Sequence, residues 1–386
     1  MKSPLDQINL LEQGVESLVT RDELLKKLEQ HRPLRVKLGC DPTSPDLHIG
    51  HGVVLRKLRQ FQDLGHVAVL IIGDYTALVG DPTGQNKTRP MLTGAQIDRN
   101  AQTYFDQAGK ILDTAPGKLE IHRNSEWLGK MNLADTLRLA SQMTVARMLE
   151  RDTFEKRFDA DIPIGVHEFL YPLMQGHDSV MIKTDIELGG TDQLFNNLVG
   201  RQLQKDAGQE PQCVMILPIL EGLDGVEKMS KSKGNYIGLN DAPGDMFGKA
   251  MSISDELMSR WYKLLFNDVP TGHPMEAKKA LARRIVEQYH GVDAGPQAVA
   301  EFEKRFSKKD YSDVGELSVP SEIWVVELVE KTGKFKSRGD IRRLIQQGGV
   351  TIDGEKITDD KARVTVRTGQ ILKAGKLVVV KLLESR

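Results

Sequence analysis

Two short stretches of this 386-residue chain carry side chains suited to handling phosphate. In the first, Asp41-Pro42-Thr43-Ser44-Pro45-Asp46-Leu47-His48-Ile49-Gly50-His51, the three-residue spacing of His48 and His51 predicts two imidazoles on one face of a helix. At a helix N-terminus the unpaired N–H groups and the helix dipole favour an anion, and imidazoles there can hydrogen-bond phosphate oxygens as charge shifts during group transfer. Ser44 is expected to cap this helix, with Pro45 in its first turn. Gly50 lets a flat base or ribose approach the backbone. By itself a His-x-x-His pair is equally a surface or metal pair, although no further ligands at zinc-like spacing are obvious nearby. In the second stretch, Glu221 to Asn235, glycines flank Lys228-Met229-Ser230-Lys231-Ser232-Lys233, three lysines in six residues. Glycines make such a loop pliable. Its lysines can close over a triphosphate and hold the charge developing on a pyrophosphate leaving group. Taken alone it is also an ordinary solvated loop. The two stretches together point to ATP chemistry.

Both need a scaffold. Leu34 to Gly39 reads as a strand running into the first stretch, and His48 to Leu64 as the helix leaving it. Val67-Ala68-Val69-Leu70-Ile71-Ile72 is a continuous apolar run, as a strand buried on both faces requires. A helix from Thr93 to Leu112 and a strand at Leu119 to His122 follow. Ser179 to Lys183 is then expected as a strand, Thr191 to Leu203 as a helix and Val214 to Leu217 as a strand. This alternation predicts a doubly wound, Rossmann-like α/β layer with a parallel sheet over residues 1–236. Asp245 to about Phe306 reads as several helices, and Ser307 to Pro320 as a polar linker, so 237–318 forms a helical region with its linker. A small α+β domain is expected at 319–386.

Length agrees with two or three domains. Hydrophobic residues at 39% and charged residues at 28% exclude bulk disorder. The net charge of −1 hides an asymmetry: from Val319 onward 14 Lys/Arg face 9 Asp/Glu, a net +5 that leaves −6 for the rest. Cys40 and Cys213 fit neither a disulfide framework nor a zinc spacing, and no apolar signal or spanning segment is seen, so a soluble cytoplasmic protein is expected.

With His48-Ile49-Gly50-His51 and Lys228-Met229-Ser230-Lys231-Ser232 both in place, the chain resembles the class I aminoacyl-tRNA synthetases, whose two signatures have these letters. Gly39-Cys40-Asp41-Pro42-Thr43, Val79 to Gly84, Tyr171 to Asp178 and Gly189-Gly190-Thr191-Asp192-Gln193 resemble the tyrosyl branch in particular. Tyr171, Gln175 and Asp178 also fall on one stripe of a helix. The resemblance implies the substrates L-tyrosine, ATP with Mg2+ and tRNA(Tyr), and a homodimer. It implies that Thr43, His48, His51, Lys228 and Lys231 stabilise the transferring phosphates, with Arg89 as a further candidate. Gly39, Asp41, Gly50, Gly190, Asp192 and Ser230 would form the ATP site, Asp192 on the ribose. Asp178 would accept from the substrate phenol; Asp81, Tyr171 and Gln175 would hold its ammonium group, and Gln193 would lie near the reacting carboxylate. No tightly bound cofactor and no protein-held metal are expected. Lys37 departs from the better-known bacterial branch, which has a tyrosine there contacting the phenol. It suits a second bacterial branch, and is read either as part of that pocket or as a strand-end surface lysine.

Phe335 to Gly354 resembles an S4-type RNA-binding module. Its helix from Ser337 would present Lys336, Arg338 and Arg342 to phosphates, Gly348-Gly349 would turn into a strand, and Asp353-Gly354 would make a hairpin turn. A basic solvated helix on a small β domain is the plainer reading. Rival functions are a tryptophanyl enzyme, a non-catalytic RNA-binding relative and another nucleotidyltransferase of the His-x-Gly-His type.

Overall fold

The computed structural model describes residues 2–42, 46–81, 93–304, 314–335, 337–375 and 378–385. Thr43, Arg89 and Lys336 therefore lie outside the described residues. The chain divides into two compact units, Met1–Ala298 and Val299–Arg386.

In the first unit six strands, β1 (Ser17–Val19), β2 (Arg35–Cys40), β3 (Val67–Ile72), β4 (Leu119–Arg123), β5 (Ile186–Gly190) and β6 (Cys213–Leu217), form one sheet in the order β1-β6-β5-β2-β3-β4. The five strands β2 to β6 run parallel and β1 closes the edge antiparallel. The order reverses beside β2, between β3 and β5, where an open α/β sheet leaves a crevice at the carboxyl ends of its strands. Five helices are needed below: α1 (Ile49–Asp63), α2 (Gly94–Ala108), α3 (Leu133–Ala140), α4 (Leu170–Ile182) and α5 (Leu194–Asp206). Thr93 caps α2: its hydroxyl accepts from the Gln96 backbone N–H, and its own backbone N–H donates to the Gln96 side chain. Helices α4 and α5 touch backbone to backbone, since a Cβ on Gly176 would stand 3.0 Å from the Gly200 nitrogen. The helical reading beyond Asp245 holds, with helices at Pro243–Met251, Asp255–Phe266, Pro274–His290 and Ala294–Phe302.

One expectation fails. Ser179 to Ile182 is not a strand but the last turn of α4, which stops at Lys183 in the left-handed region (φ 50°), and the strand follows at Ile186–Gly190. A short apolar run has no period of its own, and here Ser179 and Ile182 are the buried face of a helix. Helix α1 begins at Ile49 with His48 as its cap, and Ser44 and Pro45, expected as cap and first turn, lie outside the described residues. The helix expected from Thr191 to Leu203 is present as α5, with a 3-10 turn at Thr191–Gln193 leading into it.

The second unit has a five-stranded sheet from β7 (Glu316–Val319), β9 (Val350–Ile352), β10 (Glu355–Ile357), β12 (Ile371–Ala374) and β13 (Val378–Glu384), with β8 (Glu322–Trp324) pairing β11 (Arg363–Thr365). Helix Arg338–Gln346, capped by Ser337, buries Ile341 and Ile345 in a core with Val326, Val329 and Leu372. Asp353 and Gly354, with φ of 52° and 92°, make the expected hairpin turn between β9 and β10.

Candidate active site

At the switch of strand order the first unit encloses a cavity of about 330 Å3. Gly39, Asp41, His51, Asp81, Tyr171, Gln175, Asp178, Gly190, Asp192, Gln193 and Lys228 all line it. Residues scattered over the first 228 positions thus meet in one place. His48, Gly50, Ser230 and Lys231 are not part of its wall but adjoin His51 and Lys228 in the chain.

The histidines enter from the start of α1. The His48 backbone N–H donates to His51 Nδ1 at 3.2 Å, and the two rings lie 3.8 Å apart between centroids. Because Nδ1 of His51 is the acceptor, its proton sits on Nε2, which leaves a donor for a phosphate oxygen. Burial, the partner imidazole and the two loop lysines hold His48 far below the usual histidine range, at about 2. Burial and Lys231 lower His51 to about 4, although its solvent-open face argues for a smaller drop than that of His48. Both are thus held toward the neutral form, in which an imidazole offers hydrogen bonds rather than a positive charge. Gly50 has a use beyond ligand access: a Cβ there would stand 2.9 Å from His48 Nδ1.

The lysine loop is tied to the histidine stretch through main chain. Ile49 N–H donates to the Ile237 carbonyl at 3.0 Å and Leu239 N–H to the Leu47 carbonyl at 2.9 Å. Met229 is buried and would be 3.7 Å from a Cβ on Gly50. Lys228 Nζ pairs with Asp192 at 3.2 Å, while Lys231 donates to the Asp46 carbonyl and lies 3.9 Å from its carboxylate. Partial burial lowers the Lys231 pKa. Ser230 is held by its N–H to Asn235 and by its hydroxyl against Ser232.

Helix α4 brings Tyr171, Gln175 and Asp178 to the cavity. Tyr171 donates its hydroxyl to Asp41 at 2.8 Å, and Asp41 also accepts from Thr76. Asp81 accepts from Gln193 and pairs with Arg151, each at 2.8 Å. Gln175 donates to Asn197 and Glu187 and accepts from Asn196. Asp178 is 3% exposed, accepts from the indole of Trp127 at 2.8 Å and from Asn124 at 3.3 Å, and is raised by burial to about 7. Arg151, Trp127, Asn124 and Thr76 escaped the sequence reading: each acts through a contact between distant segments, and none carries a local pattern. Lys37 is corrected: it is no surface lysine but fully buried, with Glu187 at 3.0 Å.

Among the described residues no group of three His, Cys, Asp or Glu side chains gathers as a metal cage, and no helix is long and apolar enough to cross a membrane. In the second unit Arg338 and Arg342 do lie together, over the Trp324 ring at 5.9 and 5.6 Å. They are not bare cations, since Arg338 grips Glu330 and Arg342 lies 3.6 Å from Asp360.

A parallel α/β sheet with neutral histidines and loop lysines around a crevice at its strand switch defines a class I aminoacyl-tRNA synthetase. Residues 29–313 match the family described as tRNA synthetases class I (W and Y), and 323–369 match the S4 domain. The chain is 49% identical to the tyrosine–tRNA ligase of Moorella thermoacetica over 96% of its length and 94% of that protein. It is 48% identical to that of Syntrophotalea carbinolica over the whole of both. The chain belongs to the tyrosine–tRNA ligase family. Two solved structures show the same fold: a truncated mitochondrial tyrosyl-tRNA synthetase of Aspergillus nidulans (TM-score 0.62, 21% identity, 79% of this chain and 95% of that one), and the Archaeoglobus fulgidus tyrosyl-tRNA synthetase complexed with L-tyrosine (TM-score 0.61, 22% identity, 77% and 99%).

Proposed function

We propose that this protein joins L-tyrosine to ATP and passes it to tRNA(Tyr), and that one cavity does both halves of the chemistry. The observation that carries this is the common lining: Asp178, Tyr171 and Gln175 share a cavity with His51, Asp192 and Lys228. Asp178 accepts from the phenol; Asp81, Tyr171 and Gln175 surround the ammonium group; Gln193 lies by the carboxylate. A tyrosine carboxylate oxygen attacks the α-phosphorus of ATP and pyrophosphate leaves, giving tyrosyl-adenylate. A terminal ribose hydroxyl of the tRNA then attacks the adenylate carbonyl and AMP leaves. No protein nucleophile is required, and catalysis rests on positioning and electrostatics. His48, His51, Lys228 and Lys231 stabilise the phosphates, with Thr43 and Arg89 assigned the same role. Gly39, Asp41, Gly50, Gly190 and Ser230 shape the nucleotide site and Asp192 binds ribose. Mg2+ enters as the substrate Mg·ATP, in keeping with that ion's habit of binding through phosphates and few carboxylates.

Residues 1–236 carry this chemistry, 237–318 serve the anticodon side and 319–386 hold tRNA. The working form is a cytoplasmic homodimer. Its support is an apolar surface: Leu133 and Leu137, 75% and 62% exposed, lie one turn apart on α3, and Phe158 and Val166 are exposed as well. ATP–pyrophosphate exchange over a panel of amino acids tests the assignment. Exchange with tyrosine alone is expected; exchange driven by tryptophan, or by none, refutes it.

A further inference from the structure

Lys37 takes no part in the steps above, yet it is fully buried in the middle of β2, where an apolar residue is the rule. Its three ammonium hydrogens meet three acceptors: the Gln175 main-chain carbonyl at 2.9 Å, Ser179 Oγ at 2.7 Å and Glu187 Oε1 at 3.0 Å. It does not line the cavity. With its donors engaged and no access to substrate, it is not the second phenol contact. Its partners are informative instead. Glu187 Oε1 also accepts from Gln175 Nε2 at 3.2 Å, and the other amide hydrogen of Gln175 faces Asn197 Oδ1 at 3.0 Å. A carboxylate can only accept, so Glu187 decides which way the Gln175 side-chain amide points, and the amide oxygen of this cavity-lining residue accepts from Asn196.

We propose that Lys37 and Glu187 form a buried positioning pair that sets two tyrosine contacts at once, Glu187 by turning the Gln175 side-chain carbonyl toward the substrate ammonium and Lys37 by holding, through the Gln175 main chain and Ser179, the turn of α4 that carries Asp178. The proposal rests on the tyrosine reading of the cavity. The charged groups near Asp178 are Lys37 from β2 and Glu187 from β5, and the pull of Lys37 outweighs the push of Glu187. Asn124 and Trp127 supply neutral donors, and His177 on α4 is held toward its neutral form by burial. Ser179 completes the link, donating to Glu187 Oε2 at 3.1 Å while accepting from Lys37.

The test is tyrosine-dependent pyrophosphate exchange measured across pH. Lys37→Met alone strands a buried carboxylate, so the informative variant is Lys37→Met/Glu187→Gln, which removes both charges and spares the fold. In it the tyrosine KM should rise about tenfold, the worth of one charge-assisted hydrogen bond. The acid limb of kcat/KM should move up by about one pH unit, while the KM for ATP stays unchanged. A folded double variant with the parent tyrosine KM and acid limb overturns the proposal, as do equal rises in both KM values. Ser179→Ala, which drops one acceptor and no charge, tests the link independently. A tyrosine KM raised about two- to threefold supports it and an unchanged one overturns it. Absence of tyrosine-dependent exchange in the parent protein would instead refute the proposed function.

Discussion

The indole N–H of Trp127 reaches Asp178 Oδ1 at 2.8 Å, so the carboxylate assigned to the substrate phenol is aimed by a residue from a separate helical turn, Ser125–Leu128. Burial raises Asp178 from the usual carboxylate range to about 7, against the opposing influence of Lys37 and Trp127. The sign follows: below about 7 the group is protonated and loses its charge-assisted bond to the phenol. The kcat/KM for tyrosine should therefore fall about tenfold per unit as pH drops below that value. Ionising it is also harder folded than unfolded, so its contribution to stability declines as pH rises from about 4 to 7. Asp178→Asn should abolish the acid limb and lower the preference for tyrosine over phenylalanine by at least about 100-fold. Tyrosyl enzymes are themselves the source of the 10^4 to 10^5 scale of that preference. An unchanged limb in Asp178→Asn would assign the titration elsewhere.

Lys228 and Lys231 are engaged by Asp192 and Asp46, so under the proposed function ATP draws them off acidic partners toward its phosphates. For Lys231→Ala, the exchange rate at saturation should fall by a factor on the order of 100, the scale for removing one donor to developing charge. Tyrosine binding, followed by equilibrium titration without ATP, should be nearly intact. An unaltered exchange rate would remove the loop from the chemistry.

The sequence made the sheet legible where burial on both faces left a continuous apolar run: Val67 to Ile72 is a strand over the predicted residues. It misled at Ser179 to Ile182, because four residues cannot distinguish the buried side of a helix from a strand. His48, His51, Lys228 and Lys231 were legible because they lie in short contiguous signatures. Arg151, which holds Asp81 across 70 positions, and Trp127, which holds Asp178 across 51, were not, since pairing of that kind exists only after folding. The place of Lys37 stayed open in the sequence for the same reason: its partners Glu187 and Ser179 are far from it in the chain.

Leu133 and Leu137 expose apolar surface on one face of α3 beyond what scattered surface leucines account for. If this face joins two copies, Leu133→Asp/Leu137→Asp should sediment as a monomer at concentrations where the parent is a dimer. A variant that remains dimeric places the interface elsewhere.

Arg338 and Arg342 lie over Trp324 on the exposed face of a helix whose other face, Ile341 and Ile345, packs the core of the second unit. Removing either leaves that core intact, so an effect on RNA can be separated from an effect on folding. Glu330 and Asp360 already hold the guanidinium groups, and each arginine must exchange a carboxylate for a phosphate on binding. A contact of this kind positions RNA without reading its sequence and releases counterions. Arg342→Ala should therefore weaken tRNA binding, and the slope of log affinity against log salt should become shallower by about 0.7 to 0.9. Pyrophosphate exchange, which needs no tRNA, should keep its parent rate. Filter binding of tRNA between low and moderate salt decides: an unchanged slope in both Arg338→Ala and Arg342→Ala would mean that this face of the helix does not meet the RNA backbone.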